Sequence, residues 1–188
     1  VVKLATTAYI VDVVEQLARK YGTRNPYELC DALGIKIHYK DLKKKLKGFF
    51  FYQSRQKNIV IDYNVNKILE LILVAHELGH AVLHTEIAMM RGFQEMEVLE
   101  KSQQMPEENE ANIFAAELLL DDDEVLQHLS EESFFEAARA LFVPAALLDY
   151  KFTILRTKGY RLNTMDVRKA NFLKEDLGAY EDVDRFHD

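Results

Sequence analysis

Hydrophobic positions along this chain follow two periods. From residue 6 to 21, Ile10, Val13, Val14, Leu17 and Ala18 share one side of a 3.6-residue turn and predict an amphipathic helix ended by Gly22. Asn25-Pro26 opens a short helix, Tyr27 to Leu33, which Gly34 stops. The period then falls to two in Ile35-Lys36-Ile37-His38-Tyr39, a strand with His38 on its polar, solvent-facing side. Phe49-Phe50-Phe51-Tyr52 and Ile59-Val60-Ile61-Asp62-Tyr63 predict a hairpin with polar Gln53 to Asn58 as its loop. Asn64 or Asn66 caps a long apolar helix running to about His84. Residues 85–106 show no clean period; with Met89, Met90, Met96, Met105, Gly92 and mixed charges they read as an irregular connection with one set of helical turns. Pro106 opens a helix to Leu120, and Asp121-Asp122-Asp123-Glu124 caps another to about Leu129. Ser133-Phe134-Phe135-Glu136 is a capping box for a helix ending near Phe142, and Val143-Pro144 separates it from Ala145 to Arg156.

These elements predict an α+β fold: a mostly helical domain with a small mixed or antiparallel sheet of about three strands beside the long helix. Residues 1–160 form the domain and 161–188 a charged C-terminal tail. The pair over 131–156 reads as two packed helices, with helix-turn-helix as the alternative. A length of 188 residues with 48% hydrophobic content is enough for one sizeable core. The net charge of −7 argues against direct nucleic-acid binding through a basic surface. The basic run Lys43 to Lys47 is a solvated loop on this reading. Cys30 is the one cysteine, so no internal disulfide forms and a reducing compartment fits. Asp12 and Glu15 interrupt the first apolar pattern, and no run approaches the ~20 apolar residues of a membrane span. The expectation is a soluble cytoplasmic protein with no membrane partner.

The chemistry is concentrated in Ala75-His76-Glu77-Leu78-Gly79-His80, an HExxH motif inside the long helix. His76 and His80, four apart, lie on one helix face and can aim two imidazoles at one metal ion. Glu77 beside them can act as general base toward the attacking water. Gly79 permits close approach of another backbone. A buried helix, flanked by Ile72-Leu73-Val74 and Ala81-Val82-Leu83, must satisfy these polar groups somehow. A zincin-like site needs a third protein ligand. Glu107, Glu108 and Glu110 are the candidates. Glu108 is favoured because Asn112 follows at i+4 and can support a ligand histidine, while Ala111, Ala115 and Ala116 let this helix lie close. Glu107 points about 100° away and Glu110 about 200° away around the helix. His84 continues the i+4 series but lies a further ~6 Å along the axis, so a supporting role behind the ligands suits it better than coordination. Two histidines and one carboxylate favour Zn2+ for hydrolysis and also permit Mn2+ or Fe2+.

At these residues the chain resembles the ImmA/IrrE family of metallopeptidases. The resemblance rests on Ala75 to His80 followed by Leu83-His84, and on Glu108-Asn109-Glu110-Ala111-Asn112-Ile113-Phe114-Ala115-Ala116-Glu117-Leu118-Leu119-Leu120. Tyr27-Glu28-Leu29-Cys30 before Leu33-Gly34-Ile35, and the segment around Phe142-Val143-Pro144, add to it over roughly residues 8–160. It departs where Asp121 follows Leu120, a position at which the family usually carries a methionine and a proline. The resemblance implies a gluzincin-like site with His76, His80 and Glu108 as zinc ligands and Glu77 as base. It also implies an intracellular endopeptidase whose protein substrate is a helix-turn-helix repressor of a mobile element or stress response. Tyr63 and Tyr150 are the candidate oxyanion donors, and no spacing separates them. Two rival classes are a metal-containing regulator that docks a transcription factor without cutting it, and a DNA-binding regulator.

Overall fold

The computed structural model describes residues 5–43, 46–91 and 106–162. Among them the chain forms eight helices and one three-stranded sheet. Helix α1 (Thr7–Tyr21) starts at Thr6, whose hydroxyl accepts from the Tyr9 amide, and ends at Gly22, which supplies the left-handed φ of 70° that the cap requires. Helix α2 (Pro26–Ala32) is capped by Asn25. Strand β1 (Lys36–Lys40) runs parallel to β3 (Gln56–Asp62), and β2 (Gly48–Gln53) runs antiparallel to it, in the order β1-β3-β2. The sheet is therefore mixed, with β3 central, and Ile59, Val60 and Ile61 of β3 are buried.

Two local expectations are corrected here. The hairpin loop is not the six residues Gln53 to Asn58 but Ser54-Arg55 alone, with φ of 52° and 63°. The strands extend inward through polar Gln53, Gln56, Lys57 and Asn58, because both turn residues adopt the left-handed conformation that suits the twist of a two-residue hairpin. His38 does not simply face solvent. It is half-buried, with Nε2 2.9 Å from the Asn58 Oδ1 on its neighbouring strand.

Asn66 caps α3 (Lys67–Leu83), which is buried along most of its length. After it, α4 (Thr85–Arg91), a short helix against β2, is the set of helical turns expected within the connection. Met96 and Met105 lie outside the described residues. Helix α5 (Pro106–Leu119) packs along α3 on one side and against α1 and α8 (Ala145–Thr157) on the other. Asp121 caps α6 (Asp122–Glu131), and the capping box Ser133–Glu136 opens α7 (Phe134–Ala140). The layers thus run sheet, α3, α5, then α1 and α8, which places α3 and α5 at the centre of one apolar core.

The α5–α8 contact encloses an ion-pair network. Lys151 is 1% exposed, and its ammonium meets Glu117 at 2.7 Å and also Asp122. Lys158 meets the same two carboxylates at 2.7 Å each from the outer side. Removing one partner of a buried pair leaves an uncompensated charge, which costs about 3–5 kcal/mol; Lys158 still neutralises part of it. Lys151→Ala is therefore expected at the low end, about 3 kcal/mol, lowering the thermal midpoint by about 10 °C in a calorimetric melt.

Candidate metal centre

The close fit of α3 onto α5 brings the polar groups together. A Cβ added at Gly79 would lie 3.1 Å from the Phe114 Cβ and 3.2 Å from the Ala111 Cα, so a side chain there would force the helices apart. Ala111, Ala115 and Ala116 keep the α5 face equally low. Across this seam, Glu108 places Oε2 3.4 Å from His76 Nε2 and Oε1 3.3 Å from His80 Nε2. The two Nε2 atoms are 3.2 Å apart. His76, His80 and Glu108 are the group of His, Cys, Asp or Glu residues, among the described ones, whose ligand atoms all fall within 4.8 Å of one another.

These separations match a small tetrahedral ion. Ligand atoms 2.0–2.1 Å from such a centre stand about 3.3–3.4 Å apart. Two imidazole nitrogens and one carboxylate oxygen also form a donor set suited to zinc, and they leave a position for water. The residues present thus fit a catalytic divalent metal, and they could hold it without moving far.

The electrostatics agree with a site built for positive charge. Burial alone would raise the Glu108 carboxyl, but the His76 and His80 rings outweigh it and hold the group well below the usual carboxylate range. Burial pushes His80 down, with Glu108 opposing and His76 and His84 adding to the fall. His76 moves up, because Glu108, Glu77 and Asn112 together overcome its burial. Glu77 is buried, and burial pushes its carboxyl up to about 7. The His76 charge opposes this shift, Glu108 reinforces it, and the Phe50 backbone amide of β2 hydrogen-bonds to Glu77 and opposes it. A carboxyl balanced near neutrality, beside the His76–His80–Glu108 cluster, is what a general base for hydrolysis needs.

Asn112 lies on α5 where its amide favours the charged His76 ring, and its Nδ2 donates to the Tyr150 hydroxyl at 3.2 Å. Tyr150 in turn donates to Asn109 Oδ1 at 2.8 Å and feels the charge of Glu108. Of the two candidate tyrosines, Tyr150 is thus linked to the cluster, while Tyr63 is 59% exposed. His84 does not join the three-residue cluster; it lies behind His80 and beside Glu110. Of the three candidate acids, Glu108 faces the imidazoles and Glu110 faces His84. Sequence reasoning missed Lys57, whose ammonium reaches from β3 to the Ala81 carbonyl at 2.6 Å and braces the end of α3. No sequence spacing connects those two positions; only the sheet register does.

Gly79→Ala tests the seam. Helix propensity gains about 1 kcal/mol, but overpacking against unyielding backbone costs about 1–3 kcal/mol. The expected result is a lower melting midpoint together with weaker metal binding in a zinc titration, because Glu108 retreats with α5.

Residues 30–153 match the family described as the IrrE N-terminal-like domain, Peptidase_M78. The chain is 37% identical over 139 residues to a protein of Bacillus phage phi105 named uncharacterized immunity region protein 2, covering 73% of this chain and 85% of that one. It is 27% identical over 169 residues to the metallopeptidase ImmA of Bacillus subtilis strain 168, covering 88% and 97%.

Proposed function

The chain belongs to the IrrE N-terminal-like peptidase family and is a metallopeptidase of that type, and from this premise we propose a zinc-dependent cytoplasmic endopeptidase that cuts a helix-turn-helix repressor. One observation carries the chemical half of the reading. The ligand atoms of buried His76 and partly buried His80 and Glu108 cluster with tetrahedral spacing, and the buried carboxyl of Glu77 follows His76 on the same helix. In the proposed assignment His76, His80 and Glu108 hold the metal, Glu77 is the base, and Asn112 and His84 support the ligands from behind.

A metal held by His76, His80 and Glu108 would supply Lewis acidity toward the scissile carbonyl and the attacking water. Glu77 takes the water's proton on its carboxylate and delivers it to the leaving amine. Tyr150, held between Asn109 and Asn112, is the hydroxyl placed to offer the developing oxyanion a second donor in this reading. Strand β2 lies at a sheet edge against α3, so an extended substrate segment can pair along it.

The repressor substrate is inferred from the likeness to ImmA and to a phage protein named for an immunity region. No described helix is long and apolar enough to cross a membrane. The DNA-binding alternative is disfavoured at the helix pair itself: in the hollow beside α7, Glu131, Glu132 and Glu136 outnumber the cation Arg139, a balance that disfavours phosphate. The test is incubation of the zinc-loaded protein with the repressor encoded beside its gene, with and without a chelator, followed by mass spectrometry. Discrete fragments that disappear on chelation are expected. An intact repressor after prolonged contact with protein of verified metal content would overturn the reading in favour of a docking regulator.

A further inference from the structure

We propose that Glu110 and His84 act as a two-step positioning relay that fixes the ring tautomer of His80, an inference that rests on the metal-site reading above. His84 sits at the C-cap of α3, one turn beyond His80, and is 6% exposed. Its Nδ1 lies 3.0 Å from His80 Nδ1, and its Nε2 lies 2.9 Å from Glu110 Oε2. The other Glu110 oxygen accepts the Ala5 backbone amide at 2.8 Å, which anchors the carboxylate to the residue before the α1 cap. Glu110 is 7% exposed, so these partners take the place of water.

Counting protons along this line determines the tautomers. An ionised carboxylate only accepts, so the Nε2 of His84 must carry a proton toward Glu110. In a neutral His84 the Nδ1 is then bare and accepts. The facing Nδ1 of His80 must therefore be the donor, and its unprotonated Nε2 accepts from the His76 Nε2 at 3.2 Å, leaving Glu108 to be met by the proton-bearing His76 ring. The nitrogen that a metal needs is thus presented bare before any metal arrives. A ligand histidine usually donates its second N–H directly to a carboxylate or carbonyl; here a whole imidazole is inserted between ligand and carboxylate. The same engagement turns the His84 Nε2 away from the cluster, which explains why a third histidine in the i+4 series is not part of it.

The test uses the full chain in two measurements. Long-range nitrogen–proton correlation NMR on metal-free protein reads the His80 tautomer directly. The expected result is a proton on Nδ1 in the wild type, and a shift toward the Nε2-protonated form in His84→Leu. Zinc titration against a chromophoric chelator is expected to show affinity about 10–100-fold lower in His84→Leu and Glu110→Ala, as for lost outer partners of metal ligands. His84→Gln restores an acceptor and is expected to recover most of that loss, which a purely structural role for the ring would not produce. An Nε2-protonated His80 in the wild type, or wild-type zinc affinity in His84→Leu, overturns the relay. A wild-type chain that fails to bind zinc would instead sink the metal-site reading, while the metal-free tautomer still judges the relay.

Discussion

Glu77→Gln is expected to lose about three orders of magnitude in peptide hydrolysis while keeping its metal. The amide has the shape of the carboxyl and does not touch the ligand set, but it cannot take a proton. Zinc content measured after dialysis should equal that of the wild type, and fragment production should fall to background. If cleavage persists, another group is the base and the assignment of Glu77 fails. The same variant makes a separate prediction for the metal-free chain. Burial raises the Glu77 carboxyl from 4.5 to about 7, so between those values the folded state binds more protons than the unfolded one. Stability from this group is complete below about 4.5 and falls as pH rises through about 7. Metal-free Glu77→Gln should therefore melt a few degrees above metal-free wild type at pH 8, and the gap should close toward pH 4.5. Melting curves at the two pH values, with chelator present, check the sign.

Glu108→Ala is expected to weaken zinc binding by more than about 100-fold, beyond the loss assigned to the outer partners Glu110 and His84. It supplies the one carboxylate of the cluster, and both imidazoles converge on it. Glu107→Ala, one residue earlier on α5, serves as the control and should bind zinc as the wild type does. A Glu108→Ala chain with undiminished affinity would mean that the carboxylate pairs with the histidines without coordinating. Equal losses at positions 107 and 108 would point instead to a general effect of charge on α5.

Much of this site can be read without coordinates because helices carry their own ruler. The 3.6 period puts His76 over His80, and the small residues Gly79, Ala111, Ala115 and Ala116 announce a close helix pair. The same period separates Glu108 from Glu110 and selects which acid can share a face with Asn112. It cannot reveal what Glu110 meets on its own side, since the His84 contact depends on how far α5 slides along α3. The hairpin turn is illegible for a different reason. Ser54 and Arg55 hold positive φ without the glycine or asparagine that normally signals it, so the polar stretch around them looks like a long loop. Likewise, Lys151 and Glu117 look like surface charges, and only the packing of α8 on α5 shows that they bury each other. The capping residues, by contrast, are local chemistry: Asn25, Asn66, Asp121 and Ser133 each accept from an amide within three residues, and each is recognisable from its neighbours.

The middle strand of the sheet is also the last of the three to be synthesised. β1 and β2 emerge from the ribosome with no mate for either, since both pair only with Gln56–Asp62. The sheet therefore cannot grow strand by strand and must close as a unit once β3 is made. Only Tyr63 to Asn66 then separate that closure from α3, so the arrival of the third strand also sets the place and direction of the helix that carries the two histidines.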